Sequence, residues 1–306
     1  LELTFDAVRS TKLYSNLCAI SSETGFHIAH NIKHPADILR LQFDKLNAAL
    51  NEFLKSIEKN PFDKSKDAAI CSYILSLDTF YDNLLLIIKA ISPVAENDNS
   101  DVNIWLKSNK SVIYGEFLDS TSKAHAFVRK LSNKVKHDAV DVNYIQLSDH
   151  QGVAVEGFYL SNAVGERDLT GPDPAVHKSY KGSSTAISYN FFTLYSFGFV
   201  ALTLFHLNRL IFSKQKAHSV AAPNLHSYFV RGANVHHRFF PNEYGEEFGM
   251  ISDKKNVLSI KYPFKIKADK AYDAINGIRP TFKANQRTNS AHVEWPYFKL
   301  LGRITG

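Results

Sequence analysis

Between Pro35 and Lys59 the apolar residues recur in steps of four and three. Leu39, Phe43, Leu46, Leu50, Phe53 and Ile57 therefore fall on one face of a helix, with Pro35 in its first turn, where the missing N–H costs nothing. The run from Lys66 to Ile91 repeats the step through Ile70, Ile74, Leu77, Tyr81, Leu84 and Ile88 and stops at Ser92-Pro93. The short connection around Asn60-Pro61 predicts antiparallel packing of the two. After the polar segment 95–101, a third helix is predicted from Ser111 to His137, with Ile113, Phe117, Ala124, Phe127, Leu131 and Val135 facing inward and a soft start at Gly115. Residues 142–160 change period: VNYIQLS, the turn DHQG and VAVEGFYLS predict a β-hairpin. A Gly/Pro/Asp loop leads into a long apolar helix over 185–212, the fourth of the bundle.

The last third has another rhythm. Leu258, Ile260, Tyr262, Phe264 and Ile266 alternate with Lys261, Pro263, Lys265 and Lys267, the period of a strand with one basic, solvated face, and Pro263 places it at a sheet edge. Segments 270–278 and 290–302 are too short to assign. The predicted fold class is α+β. A lead segment (1–34) precedes an antiparallel helical bundle (35–213) with the hairpin 142–160 inserted, and a smaller, basic, strand-containing region (214–306) follows.

Composition narrows the class. With 306 residues, 44% hydrophobic and 22% charged, the chain has enough apolar material for a real core and no low-complexity stretch, which excludes fibrous and wholly disordered architectures. Cys18 and Cys71 stand in no zinc-ligand spacing; Cys71 falls in an apolar helical stripe and reads as a small buried thiol in a reducing cytosol. The first residues lack the basic-then-apolar order of a secretion signal, and Leu1 in place of Met reads as a fragment boundary or a non-standard start. No charge occurs between Lys181 and Arg209, a length that would span a bilayer. Ser188, Asn190, Thr193, Ser196, Thr203, His206 and Asn208 within it favour a buried core helix over a membrane span. The net charge of +6 is unevenly spread: residues 1–209 hold 21 basic against 23 acidic groups and residues 210–306 hold 15 against 7, so any polyanion-binding surface belongs first to the last third.

The densest local chemistry is VRKLSNKVKHD, residues 128–138. Lys130, Asn133 and His137 share one face of the third helix, and His137 in its last turn sits at the negative end of the helix dipole. With these residues the chain resembles the HEPN superfamily, four-helix-bundle proteins of prokaryotic toxins, defence systems and RNA processing, in which an arginine, four to six arbitrary residues and a histidine close one helix. Asn133 and His137 match the polar and histidine positions of that motif. Ser132 stands where the arginine of the short form would be, and the longer spacing places Lys130 there. The helix-order match covers roughly residues 35–212. The resemblance implies metal-independent RNA cleavage in a cleft across a homodimer, with His137 as acid/base, Lys130 as phosphate clamp and Asn133 as orienting group. Lysine keeps the charge of arginine but loses its bidentate fork. The plain alternative is that Asn133 and His137 cap the helix and bind the hairpin backbone.

Two further clusters bear on nucleic acid. NLHSYFVRGANVHHRFFPNEYGEEFG interleaves His226, Arg231, His236, His237 and Arg238 with aromatics and is followed by Glu243, Glu246 and Glu247. Its spacing suits stacking and phosphate contact better than a metal, and a packed loop is the other reading. Lys261, Lys265 and Lys267, with Lys254, Lys255 and Lys270 around them, either meet a polyanion or deter edge-to-edge aggregation. Phosphate-loop, dinucleotide-fold and serine-hydrolase signatures are missing, and no cofactor or metal is implied. Two functions follow as expectations: an RNA-directed protein of ribonuclease type in bacterial defence or toxin-like regulation, or a non-catalytic interaction or nucleic-acid-binding module.

Overall fold

A computed structural model describes residues 12–59, 63, 65–94, 101–109, 111–138, 140–149, 154–166, 168–212, 239–243, 251–252, 257–258, 278–279 and 292–301. In chain order these form α1 (Lys12–Cys18), α2 (Phe26–Ala29), α3 (Pro35–Ile57), α4 (Ser65–Ala90), α5 (Val102–Ser108), α6 (Val112–His137), β1 (Asp141–Asp149), β2 (Ala154–Ala163), β3 (Leu169–Pro172), β4 (Ile187–Ser188), α7 (Tyr189–Phe212), β5 (Ile251–Ser252), β6 (Val257–Leu258), β7 (Ile278–Arg279), β8 (His292–Val293) and α8 (Phe298–Leu301). The architecture is α+β, with three long helices ahead of a mixed sheet and the fourth, α7, after its first four strands. The chain divides into two compact units that do not follow chain order: 1–52, 72–129 and 197–225 in one, and 53–71, 130–196 and 226–306 in the other.

The first unit is helical. The predicted stripes of α3 and α4 are its core: Leu39, Phe43, Leu46 and Leu50 are fully buried, as are Ile74, Leu77, Tyr81, Leu84 and Ile88 to within 1%. Phe43 meets Phe80 at 5.7 Å between ring centroids, and Tyr81 stacks on Phe117 at 5.4 Å. Helix α6 buries only part of the face its apolar residues predict, Phe117 and Leu131 being fully buried. Ile113, Ala124, Phe127 and Val135 are only partly covered, whereas Tyr114, Thr121 and Val128, outside the predicted stripe, are buried. The inward face is rotated because its polar members have partners: the Tyr81 hydroxyl and Thr121 Oγ1 share a 2.8 Å hydrogen bond, and Thr121 also donates to the Phe117 carbonyl.

The second unit carries the sheet, ordered β7-β1-β2-β3-β8 with β4 also paired to β2. The predicted hairpin is β1 and β2, antiparallel from Asp141↔Ser161 to Ser148↔Ala154, with Tyr144 opposite Phe158. Ile145, Leu147, Val155, Tyr159, Ala186, Phe240 and Tyr297 form one buried cluster. Tyr297 adopts a left-handed φ of 62°, and its hydroxyl donates to Asn242 Oδ1 at 2.6 Å while accepting from the Ala186 N–H at 3.0 Å. Gly157 is required where β4 crosses β2, because a Cβ there would overlap the Ile187 carbonyl oxygen and the Phe240 ring.

Helix α7 begins four residues later than predicted because Ile187 and Ser188 pair with β2. Ser188 Oγ accepts from the Phe191 N–H as an N-cap. The polar residues weighed against a membrane span bond back to the preceding turn: Thr193 to Tyr189 O, Ser196 to Phe192 O and Thr203 to Phe199 O. Helices α4 and α7 are long and apolar enough to cross a membrane, but 83% of the apolar window of α7 is buried within the protein, as in a core helix. Cys71 is half-buried with its thiol pushed up to about 11 by burial, and Cys18 is exposed; both are free. Of the basic strand predicted over 257–267, only Val257–Leu258 is described, paired with Ile251–Ser252; the remainder lies outside the described residues.

Two glycines separate packing from propensity. Gly157→Ala is expected to cost about 2 kcal/mol through forced backbone displacement. Gly115→Ala, in α6 with open space around it, should gain up to about 1 kcal/mol. Urea unfolding of the full chain measures both, and equal effects would contradict the placement of β4 against β2.

Candidate functional site

Helix α6 ends in a basic turn containing Lys134, Lys136 and His137, where cations complement the unpaired carbonyls of the helix terminus. Lys130, Asn133 and His137 are all exposed and lie along one face of these last turns. At 1.5 Å per residue they span about 10 Å of helix. None of the three bonds to another described residue, so the cap to the hairpin backbone weighed as their structural role does not form among the described residues.

Lys134, in the same turns, behaves in the opposite way. Its ammonium lies 2.6 Å from Asp138 and 2.9 Å from Asp173, and hydrogen bonds to Asp138 and Asp173 raise its pKa. Asp173 is 2% exposed. Burial opposes its ionised form, yet hydrogen bonds from Lys134, the Ala175 N–H and Asn162 hold the carboxyl below its ordinary range. The carbonyl of Asp173 also accepts the Val176 and His177 N–H groups. His177 is fully enclosed, and burial pushes its imidazole down to about 3; the neutral ring accepts the Leu160 N–H at 2.9 Å through Nε2. The end of α6 is thereby fastened to the segment after β3, and Lys134 is committed to that task.

The first unit contains a constellation that periodicity alone missed. The carboxylate of Asp78, on α4, has no exposed surface; it lies 3.1 Å from His125 Nε2 and 3.1 Å from Arg129 Nε, both on α6. Arg129 Nη2 reaches Asp82 at 2.6 Å. The His125 ring stacks on Tyr81 at 3.6 Å between centroids. An aspartate that orients a histidine beside a guanidinium is a proton-transfer arrangement in type. Here, however, each formal charge already has an opposite charge as its neighbour, and the arrangement acts as a clamp between α4 and α6. Its signal in the sequence is a matched pair of four-residue steps, Asp78 to Asp82 and His125 to Arg129, which place two acids on one helix face and two bases on another.

Two other buried ions have structural partners. Glu243, at first grouped with the neighbouring histidines and acids, is 2% exposed and accepts from Ser188 N–H, Ser188 Oγ and Phe240 N–H, each at 2.7 Å, at the N-terminus of α7. Lys66, with its pKa lowered by burial, sits 5.3 Å from the Tyr144 ring and 5.9 Å from the Tyr189 ring. Among the described residues no group of three or more His, Cys, Asp or Glu side chains could hold a metal. Arg231, Arg238, Lys261, Lys265 and Lys267, together with His226, His236 and His237, lie outside the described residues.

No family model, curated protein or solved structure matches the chain.

Stability should separate the two kinds of residue on α6. Lys134→Met, which strands the buried Asp173 carboxylate, is expected to cost about 2 kcal/mol. Lys130→Ala, Asn133→Ala and His137→Ala should each stay within about 0.5 kcal/mol. Chemical denaturation at pH 7 reads the difference; a large loss in His137→Ala would make that side chain structural.

Proposed function

We propose that the protein binds RNA or a chemically similar polyanion through the exposed Lys130, Asn133 and His137 face of α6. One observation carries the reading. These three donors stand together on open turns with no partner among the described residues, while Lys134 in the same turns is neutralised by two carboxylates. A cation, an amide and an imidazole spread over about 10 Å can meet successive phosphates of one strand. The charge of the chain supports the same reading, since residues 210–306 add 15 basic groups against 7 acidic ones, among them Lys261, Lys265, Lys267, Arg231 and Arg238.

Cleavage is the less supported extension. Metal-independent transfer at phosphorus needs an imidazole and a cation fixed in advance, and no described residue orients His137 or Lys130. The resemblance to HEPN proteins, the homodimer it implies and a cytoplasmic setting in bacterial defence belong to the proposal. They are supported by the helix order, three long helices, a hairpin and a fourth.

The test is fluorescence anisotropy with labelled mixed-sequence single-stranded RNA in EDTA. Replacing Lys130, Asn133 and His137 together by alanine should weaken binding at least about ten-fold and lower the salt slope by about 1. Unchanged affinity would overturn the reading. Intact RNA is expected throughout; cleavage that is lost in His137→Ala would instead assign ribonuclease activity.

A further inference from the structure

Three histidines gather at one end of the first unit, where α2, the start of α3, the end of α4 and α5 meet. His34 occupies the N-cap position of α3. Its Nδ1 accepts the Ala36 N–H at 3.3 Å, and its Nε2 bonds the Ile20 carbonyl at 3.1 Å. A carbonyl can only accept, so Nε2 carries the proton and the ring is neutral. His30 Nε2 donates to the Ser92 carbonyl at 2.9 Å, and its ring stands edge-on to Trp105 at 5.0 Å. His27, 5% exposed, packs edge-on to His34 at 4.9 Å, and its buried Nδ1 has no hydrogen-bond partner among the described residues. Through these contacts the segment 20–34 is tied back to its own start, to the end of α4 and to α5.

We propose that residues 20–34 form an acid-released latch, held shut by His27 and His34 only in their neutral forms. Each added proton acts against the closed state for a separate geometric reason. A proton on His34 Nδ1 removes the acceptor of the Ala36 N–H and sets a positive charge at the positive end of the α3 dipole. A charged His27 would lie against His34 with its buried Nδ1 lacking an acceptor among the described residues. Lys89, 4% exposed, adds a fixed positive charge at this end of the unit, its ammonium 5.3 Å from the Trp105 ring.

The other charged groups on these elements are Glu23, Lys33, Asp37, Asp101 and Lys107. Glu23, Lys33, Lys107 and Asp101 are exposed. Asp37 pairs with Arg40 at 3.7 Å, and the Asp101 carboxylate accepts the Ile104 N–H at 2.8 Å as the α5 cap. No carboxylate acts on His27; burial, and then the neighbouring His34, hold its imidazole below the ordinary value. The closed state thus favours a neutral ring. Its stabilisation is complete above about pH 6.5 and falls as the pH drops below that point.

The chain has two tryptophans, Trp105 and Trp295, so a Trp295→Phe chain reports on Trp105 alone. Its emission should shift to the red between pH 8 and pH 5 as the His30 contact is lost. The same chain carrying His27→Phe and His34→Asn, which keeps a capping acceptor without a titrating ring, should stay flat. An unchanged emission in the single-tryptophan chain, or the same transition in the histidine variant, overturns the latch. Amide exchange on the unaltered protein guards against a variant that fails to fold. After correction for intrinsic rates, protection of peptides covering 26–36 should fall at least ten-fold from pH 7.5 to pH 5.5 while α4 peptides hold. Equal behaviour of the two sets of peptides also overturns the proposal.

Discussion

The carboxylate of Asp78 has no contact with water, and taking a lone ion out of water costs several kcal/mol. Everything around it answers that cost. His125 and Arg129 both lie 3.1 Å away, and Asp82 takes the far side of the guanidinium at 2.6 Å. Because the two bases sit four residues apart on α6 and the two acids four apart on α4, sliding either helix by one residue would break every pair at once. The ionic constraint therefore sets the register of two helices whose apolar stripes alone would tolerate other fits. It also explains the rotation of α6: to bring His125 to Asp78, the helix buries Thr121 and Tyr114 and leaves Phe127 half-covered.

The same rule governs the second unit. Asp173 is buried with Lys134 and two further donors, and Glu243 is buried at the helix start of α7 with three. Lys66 is buried between two tyrosine faces. Each ion joins segments distant in sequence, which hydrophobic burial, being non-directional, cannot specify alone. Such ions are spent on architecture. What they leave over is informative, because Lys130, Asn133 and His137 stand beside the committed Lys134 with no partner of their own among the described residues.

The long helices and the hairpin were legible in the sequence. Leu39, Phe43, Leu46 and Leu50 on α3, and Ile70 to Ile88 on α4, point inward as their period requires, and the alternation over 142–160 gives β1 and β2 in register. The inward face of α6 was legible only at Phe117 and Leu131, because a stripe drawn also through Ile113, Ala124 and Phe127 assumes that polar residues face water. Thr121 and His125 break the assumption through partners on another helix, which no single-segment pattern contains. Of the candidate site, the shared face of Lys130, Asn133 and His137 was readable from spacing. The commitment of Lys134 to Asp173, 39 positions away, was not.

The division between structural ions and an open binding face is tested most directly by one substitution measured in two ways. Asp78→Asn leaves the Arg129 and His125 side chains without their buried counter-charge. It is expected to cost about 3 kcal/mol in urea unfolding, while RNA affinity measured under conditions where the chain is folded stays within two-fold of the unaltered protein. Preserved stability together with lost RNA binding would contradict the account and move the functional site to Asp78, His125 and Arg129.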